Sequence, residues 1–389
     1  MRLTRMRLAA LGAAMVLAAC GGGEGAGDQN PHVGFTSLVT FGDSLSDVGT
    51  YKVGTIAALG GGKWTVNSPT ARNWTEWIAA DIHVAAPCPA QTGLLPNIPG
   101  LTGAAVVNST TCTNYAQGSS RVSGIFAPNS ATLQAAPFNA HNLGLMAVPL
   151  TVQMATYLST HGGAYSGTEL VTVLAGGNDA FMNIAALQAA GTGGAGAVGA
   201  AVAAGWSPTV QGAVAGGGAA AVQAAATAAV TTMGAAGAEL AGLVKSQILA
   251  KGAKYVVVVN LPDVSQTPAF AAADAQTRGL VNQMVTTFNG QLAAGLAGTS
   301  VVLVDAYTQG QDQMAHPAQY SLSNVTTPAC STTSPNNPLQ GSSLACTAAS
   351  TVAGDVSAYL YADSVHPTPY GNQLLAQFVA VQMAKAGWL

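Results

Sequence analysis

Short runs of apolar, often β-branched residues alternate along the chain with longer amphipathic stretches. The short runs predict buried strands of a parallel sheet at residues 37–41, 170–174, 255–260 and 301–305. The longer stretches predict helices at residues 74–81, 149–160, 277–296 and 370–386. In the last helix, the apolar positions Leu374, Leu375, Phe378, Val379 and Met383 suit packing on a sheet. Strands separated by helices predict an α/β fold with a doubly wound parallel sheet.

Residues 185–237 depart from this pattern because alanine and glycine dominate the segment. Alanine favours helix and glycine opposes it. We expect a helical hairpin, with one helix at 180–190, a loop through Trp206, Ser207 and Pro208, and a long helix at 219–250. Two roles stay open for this Ala/Gly-rich insertion: a lid or substrate-entry element, or a packing insertion that replaces an ordinary helix.

The N-terminus has the pattern of an export signal. Arg2, Arg5 and Arg7 precede an apolar stretch at 8–19, which is too short to cross a membrane and predicts a signal peptide at 1–19. The Leu-Ala-Ala-Cys sequence ending at Cys20 resembles a bacterial lipoprotein signal, and this resemblance implies that Cys20 becomes lipidated. An ordinary secretory signal cleaved nearby is the alternative.

After the signal we expect a flexible, Gly-rich tether at 20–34 and one globular domain at 35–389 that contains the insertion at 185–237. A lipid on Cys20 predicts an exported lipoprotein of the outer membrane or cell surface, which contacts the membrane through its N-terminus. Without the lipid, the protein is expected to be periplasmic or secreted. We expect a monomer in either case.

Export also bears on the cysteines. Apart from Cys20, the chain has four, and an even number in an oxidising compartment favours disulfides. Of the three possible connectivities, we expect the local pairs Cys88–Cys112 and Cys330–Cys346, which close two loops rich in polar residues. In the chain-entropy interpretation each stabilises the fold by roughly 3 kcal/mol.

Charged residues make up only 7% of the chain, and the formal net charge is −3. Loss of the three arginines of the signal would change this to about −6. The sequence contains no basic patch, so nucleic-acid binding has no electrostatic basis. The mildly acidic balance favours uncharged or zwitterionic substrates.

Candidate chemistry begins directly after the first predicted strand, at Gly42-Asp43-Ser44-Leu45. This turn places the hydroxyl of Ser44 at the carboxyl end of a strand, where open α/β sheets bind ligands. A serine needs a general base to act as a nucleophile, commonly a histidine oriented by a carboxylate. The sequence Asp363-Ser-Val-His366-Pro-Thr-Pro offers such a pair in a stiff segment.

The remaining polar residues around these motifs suggest structural roles. Asp43 and Asp47 are expected to bond backbone donors of their own turn, and Asp179 is expected to be structural. The other histidines, His32, His83, His141, His161 and His316, lack the ligand spacing of a metal site, so we predict no metal.

Together with two internal segments, these motifs resemble the GDSL (SGNH) family of serine esterases and lipases. Asn114-Tyr-Ala-Gln-Gly118 is similar to the second block of the family. Gly176-Gly-Asn178-Asp179, which follows the strand predicted at 170–174, is similar to the third. The four blocks occur in the family's order. The resemblance implies a flavodoxin-like, three-layer α/β/α sandwich for the domain at 35–389, with 185–237 as an insertion.

The resemblance also implies a mechanism without a cofactor or metal. Ser44 would be the nucleophile, His366 the base and Asp363 its orienting carboxylate. The backbone N–H of Ser44, a backbone N–H at Gly118 and the side-chain amide of Asn178 would form the oxyanion hole. Many relatives have a second glycine where this chain has Ser119, so Ser119 is the alternative to Gly118 as the second donor.

The expected activity is hydrolysis of lipid or other acyl esters through an acyl-enzyme. A second hypothesis is phospholipase or acyltransferase action on membrane lipids, because a lipid anchor would bring the enzyme close to them. A third hypothesis, outside the enzymes, is a catalytically silent surface scaffold. Only the insertion and the anchor support it. The sequence leaves the acyl chain length and the alcohol open.

Overall fold

A four-stranded parallel sheet organises the computed structural model, which describes Pro31–Leu389. The sheet strands are β1 (Leu38–Gly42), β4 (Leu170–Leu174), β5 (Tyr255–Val259) and β6 (Val302–Val304), and β2 (Gln91–Leu94) and β3 (Ala104–Asn108) form a separate antiparallel pair. The order in the sheet is β1-β4-β5-β6. Each strand therefore lies within about one residue of its predicted position.

On the other side of β1, the chain around Asn114 extends the sheet by one parallel bridge. Thr40 pairs with Asn114, through bonds from Thr40 N to Thr113 O (3.0 Å) and from Tyr115 N to Thr40 O (2.8 Å). The chain thus leaves β1 toward one side and returns on the other at β4. This is the flavodoxin-like order, and it makes the end of β1 the point where ligands bind in such sheets.

Helices cover both faces of the sheet. They are α1 (Gly54–Ala58), α2 (Trp74–Asp81), α3 (Leu150–Thr160), α4 (Gly177–Ala190), α5 (Gly194–Ala204), α6 (Pro208–Ala215), α7 (Gly218–Leu243), α8 (Ala275–Leu296), α9 (Ala306–Ala315) and α10 (Pro369–Lys385). Short 3₁₀ turns occur in the connecting loops. The four helices predicted outside the insertion correspond to α2, α3, α8 and α10, with ends shifted by at most two residues.

Alternate residues of each strand belong to opposite cores, as the period of two in a strand requires. Val39 and Phe41 pack with α3, α4, α7 and α8. Leu38 and Leu174 pack in a second core with Trp74 of α2 and with α10. The predicted three-layer α/β/α sandwich is therefore confirmed.

The Ala/Gly-rich insertion contains more helix than its composition suggested. The two expected helices are present as α4 and α7, but the expected loop between them holds two further helices, α5 and α6. Only 205–207 of the Trp206 region is a connection. Tertiary contacts account for the difference, because Trp206 is buried and donates its indole N–H to Oδ1 of Asn183 at 2.6 Å. The hairpin prediction was therefore wrong in the middle of the segment.

Helix α7 packs against α8 through small residues. A Cβ atom added at Gly237 would lie 2.3 Å from the carbonyl oxygen of Phe288, and one added at Gly295 would lie 2.5 Å from Cβ of Ala241. Helix α7 continues through a π turn and a 3₁₀ turn to Lys251. Within the described residues, this stretch from Gly218 to Lys251 is long and apolar enough to span a membrane, by length and composition alone.

Both local disulfide pairs are present. Cys88 and Cys112 bond near the β2–β3 pair, with Cα atoms 5.1 Å apart, and Cys330 bonds to Cys346 with Cα atoms 6.0 Å apart. The second disulfide ties the loop that precedes Asp363. The predicted signal at 1–19, Cys20 and most of the predicted tether lie outside the described residues.

Candidate active site

Ser44 lies in a tight turn at the end of β1. The turn is closed by the bond from Ser46 N to Asp43 O at 3.1 Å. Gln153 of α3 holds the strand end, because its side chain accepts from Gly42 N and donates to Gly42 O, both at 2.9 Å. A Cβ at position 42 would lie 2.4 Å from Leu174 O, so only glycine lets the strand end approach β4 this closely. The turn places the Ser44 hydroxyl at the carboxyl edge of the sheet.

The structure brings Ser44 together with His366 and Asp363, although Ser44 and His366 are 322 residues apart. Oγ of Ser44 lies 2.9 Å from Nε2 of His366. Nδ1 of the same ring lies 2.8 Å from Oδ2 and 2.9 Å from Oδ1 of Asp363. A hydroxyl, an imidazole and a carboxylate within hydrogen-bond reach of one another form the arrangement that general-base activation of a nucleophile requires.

Surrounding donors hold the Asp363 carboxylate in its ionised form. Its oxygens accept hydrogen bonds from the backbone N–H groups of Ser343, Val365 and His366 at 2.9 to 3.0 Å. Burial opposes ionisation, but the adjacent His366 and these bonds outweigh it and hold the pKa of Asp363 well below its usual range. The carboxylate can therefore orient the imidazole and stabilise its protonated form.

Trp64, which sequence reasoning did not single out, packs on the imidazole. Its ring centroid lies 4.8 Å from that of His366, with the planes inclined by 34°. A Cβ at Gly118 would lie within 2.5 Å of the same indole. Trp64 thus confines both the histidine and the backbone at Gly118. A lone tryptophan in a loop carries no sequence signal for this role.

Asp43 and Asp47 bond backbone donors near the turn, as expected. Asp43 accepts from Leu45 N at 3.1 Å, and Asp47 accepts from the N–H groups of Gly49 and Thr50. Burial raises the pKa of Asp43 to about 7 and also raises the pKa of Asp47. Asp43 also faces the cavity beside Ser44, so the structure places an unexpected titratable group there.

The contact made by Gly118 N does not fit the expectation that this group is an oxyanion donor. Its N–H donates to Oδ2 of Asp47 at 2.9 Å, so this group is already engaged away from the cavity. Ser119, the next residue, lines the cavity and has a left-handed φ of 69°. Among the described residues, no group accepts a hydrogen bond from Ser119 N. The N–H of Gly118 is therefore engaged within the protein, and that of Ser119 has no acceptor among the described residues.

Asn178 reaches the cavity from the first turn of α4. This helix starts after Gly176, whose φ is 117° and where a Cβ would lie 2.5 Å from the ring of Phe288. The amide Nδ2 of Asn178 donates to Ser120 O at 3.0 Å, which uses one of its two protons. The other proton remains for a ligand in the cavity that Asn178 lines.

A buried ion pair supports the residues that carry these donors. Nε of Arg121 lies 2.9 Å from Oδ1 of Asp179, and both side chains are about 5% exposed. The other Asp179 oxygen accepts from Val122 N at 3.0 Å. The guanidinium also donates to the carbonyls of Ala203 and Ala204 at the end of α5. Arg121 therefore connects the segment after Ser119 to the insertion.

The site opens into a cavity of about 260 Å³. Its lining is mostly apolar and includes Leu45, Trp64, Pro128, Phe181, Leu261, Pro262, Val264, Ala269 and Val365. Asp43 and His366 are the titratable side chains in this lining. In the part of the chain that the structure describes, no group of three or more His, Cys, Asp or Glu residues is arranged to hold a metal ion.

Comparison with known proteins identifies the class of enzyme. The profile of the GDSL-like Lipase/Acylhydrolase family matches residues 38–379, which is most of the chain. The chain therefore belongs to this family of ester-hydrolysing enzymes. The match includes every residue of the site described above, and it confirms the resemblance drawn from the four sequence motifs.

The similar curated proteins come from Pseudomonas. Esterase EstA of Pseudomonas aeruginosa is 32% identical over 145 residues, which are 35% of this chain and 20% of EstA. An uncharacterized protein from the trpE-trpG intergenic region of Pseudomonas putida is 31% identical over 164 residues, 40% of this chain and 25% of that protein. The alignments therefore span a quarter or less of the length of these relatives.

Two crystal structures of lipases align with the chain at low identity. The lipase Lip_vut3 from a goat rumen metagenome is 12% identical, with 91% of this chain and 98% of the lipase covered and a TM-score of 0.38. An extracellular lipase from Streptomyces rimosus is 14% identical, with 89% and 99% covered and the same TM-score.

Proposed function

We propose that the protein hydrolyses carboxylic esters through a covalent acyl-enzyme at Ser44. His366 takes the Ser44 proton as the hydroxyl attacks the ester carbonyl, and it then returns this proton to the leaving alcohol. Asp363 stabilises the imidazolium that forms between these steps. Water, activated by His366, then releases the acid. The observation that carries the proposal is the continuous contact from Ser44 through His366 to Asp363.

We assign the oxyanion hole to the N–H groups of Ser44 and Ser119 and the side-chain amide of Asn178. The proposal is supported by the engagement of Gly118 N with Asp47, which leaves Ser119 N as the donor at the cavity. Each such donor contributes about 3–4 kcal/mol to stabilising the tetrahedral intermediate. Asn178→Ala is accordingly expected to lower kcat with little change in KM.

The lining of the cavity supports a substrate class of esters with apolar acids or alcohols, including lipid esters. Its apolar lining favours hydrocarbon groups, and no lysine or arginine in the described part of the chain lines it to pair with an anionic substrate. The esterase name of two Pseudomonas relatives supports the same reaction class.

Covalent labelling tests the proposal directly. A fluorophosphonate is expected to modify Ser44 and to abolish hydrolysis of p-nitrophenyl esters, with the site located by peptide mass spectrometry. Ser44→Ala should lose both labelling and hydrolysis. Ser364→Ala is the matched control, because Ser364 is an exposed serine that lines the same cavity. Labelling that persists in Ser44→Ala would contradict the proposal.

Transfer of the acyl group to an alcohol uses the same acyl-enzyme. Hydrolysis in the presence of added glycerol, with separate measurement of free acid and glyceryl ester, shows how the intermediate partitions. A product mixture dominated by the free acid identifies a hydrolase, and one dominated by the glyceryl ester identifies a transferase.

We further propose that the enzyme is an exported monomer anchored by a lipid on Cys20. The basic and apolar N-terminal pattern supports export, and the two disulfides fit an oxidising compartment. Labelled palmitate should enter the native protein but not Cys20→Ser, and the variant should leave the membrane fraction. Sedimentation of the protein without its first 30 residues should give the monomer mass.

A further inference from the structure

A second apolar cavity lies behind the candidate site and shares a wall with it. Its volume is about 100 Å³, compared with about 260 Å³ for the cavity at Ser44. The residues that line both cavities are Leu45, Pro262, Thr267 and Val365. Leu45 directly follows Ser44, and Val365 directly precedes His366. The shared wall therefore adjoins the reacting hydroxyl and the reacting imidazole.

The second cavity is suited to hydrocarbon. Helices α9 and α10 contribute much of its lining, and its aliphatic residues include Leu174, Ala306, Leu360, Pro367 and Leu375. Thr267, Gln309, Gln313 and Tyr361 supply its polar groups, and none of its lining residues carries a formal charge at neutral pH. Polar or charged ligands would lose hydration there without adequate partners. Each methylene buried in such a cavity improves binding about fourfold.

The shared wall includes two aliphatic residues that border both cavities. Leu45 and Val365 are apolar yet only half-buried, because each faces open space in both cavities. Aliphatic side chains adopt a small set of staggered rotamers. A rotamer change at either position moves the side chain and leaves the backbone in place.

We propose that the two cavities form one binding site for an unbranched hydrocarbon chain, which passes Leu45 and Val365 and ends between α9 and α10. The inference rests on the proposed ester hydrolysis at Ser44 and names its substrate class: esters that carry one long, straight chain. The chain can belong to the acid or to the alcohol, because the acyl chain is bonded to the carbonyl carbon that Ser44 attacks and the alkyl chain to the adjacent ester oxygen.

Gly310 of α9 offers a test away from the reacting residues. It lines only the second cavity, and a Cβ added there would lie 4.0 Å from Cβ of Pro262, which belongs to the shared wall. Gly310→Leu should therefore fill the second cavity. We expect kcat/KM for p-nitrophenyl decanoate to fall about tenfold or more, since excluding two or more methylenes has this effect. Hydrolysis of p-nitrophenyl acetate should stay within about twofold, because its acyl group ends in the first cavity.

Gly290→Leu is the matched control. Gly290 is an exposed glycine of α8 with no atom within 4 Å of an added Cβ, so the same substitution there adds a side chain to solvent. Leu375→Ala is the converse variant, because it enlarges the second cavity from α10. It should shift the preferred chain length upward by one or more methylenes.

Two ester series identify which chain enters. Acyl p-nitrophenyl esters vary the acid, and alkyl acetates vary the alcohol; only the series whose chain occupies the second cavity should respond to Gly310→Leu. An unchanged chain-length profile in both series, with acetate hydrolysis intact, would overturn the inference and leave the proposed function standing. Absence of hydrolysis and of Ser44 labelling in the unaltered protein would instead overturn the proposed function.

Discussion

The candidate site and the Ala/Gly-rich insertion are built by opposite means. At the site, the positions of the reacting groups follow from hydrogen bonds such as Ser44 to His366 and Gly118 to Asp47. In the insertion, α7 packs against α8 outside it, and the glycines Gly237 of α7 and Gly295 of α8 allow the two helices to approach closely. Directional bonds therefore define one region and close packing defines the other.

Arg121 is where these two regions meet. Its guanidinium binds Asp179, directly after Asn178, and also the last carbonyls of α5 in the insertion. The carboxyl end of a helix carries partial negative charge, so the cation is stabilised on both sides. This contact favours the interpretation of the insertion as a packing element that supports the backbone after Ser119.

The largest effect should come from the directional contacts of the site. Asp363→Asn retains the shape of the side chain but cannot stabilise the imidazolium, so kcat should fall about 10⁴-fold. Steady-state hydrolysis of p-nitrophenyl butyrate measures this. Asp355→Asn is the control, since Asp355 caps an exposed turn at Ser357 and should keep full activity. A loss below about tenfold for Asp363→Asn would remove Asp363 from the mechanism.

Breaking the ion pair between the two regions should have the next largest effect. Asp179→Asn leaves Arg121 charged and buried, and the free energy of unfolding should fall by about 3–5 kcal/mol. Urea denaturation measures the change. The exposed pair His316–Asp312 is the contrast, where Asp312→Asn should change the free energy of unfolding far less because water screens the pair. Equal costs for the two variants would show that the buried pair does not couple the regions.

The raised pKa of Asp43 predicts that the free energy of unfolding depends on pH. Its pKa is about 7 in the folded protein and near its ordinary value when unfolded, so the folded state binds the proton more tightly. Its contribution to stability is present below about pH 4 and is lost as the pH rises toward 7, on the order of a few kcal/mol. Asp43→Asn should remove this loss. The free energy of unfolding of the unaltered protein and of Asp43→Asn is measured from pH 4 to 8. A difference between the two proteins that stays the same at every pH would contradict the prediction.

The smallest effect tests close packing in the insertion. Gly237→Ala places a Cβ 2.3 Å from the backbone of Phe288 and should lower the free energy of unfolding by about 1–3 kcal/mol. Gly242→Ala in the same helix meets no atom within 4 Å and should be neutral or stabilising by up to about 1 kcal/mol. Thermal unfolding separates the two. Similar stabilities would show that α7 and α8 have room to move apart.

Sequence reasoning succeeded where the signal was local. The strands of the sheet and helices α2, α3, α8 and α10 were placed within two residues, because apolar periodicity records which face of an element is buried. It failed in the middle of the insertion, where alanine and glycine have no such contrast. There, the buried indole of Trp206 and its bond to Asn183 accompany the helices that composition did not indicate.

The sequence by itself indicated the fold class through apolar periodicity, and the family with its candidate residues Ser44, Asp363 and His366 through short motifs, because both signals are local in the chain. Tertiary structure decided which of two neighbouring backbone N–H groups already has a partner within the protein. Asp47, 71 residues before Gly118, accepts the Gly118 proton and leaves that of Ser119. It also decided that Arg121 joins the site to the insertion and that a second cavity lies behind Leu45 and Val365. Such contacts join residues distant in the chain, so they arise only when the packed elements bring those residues together.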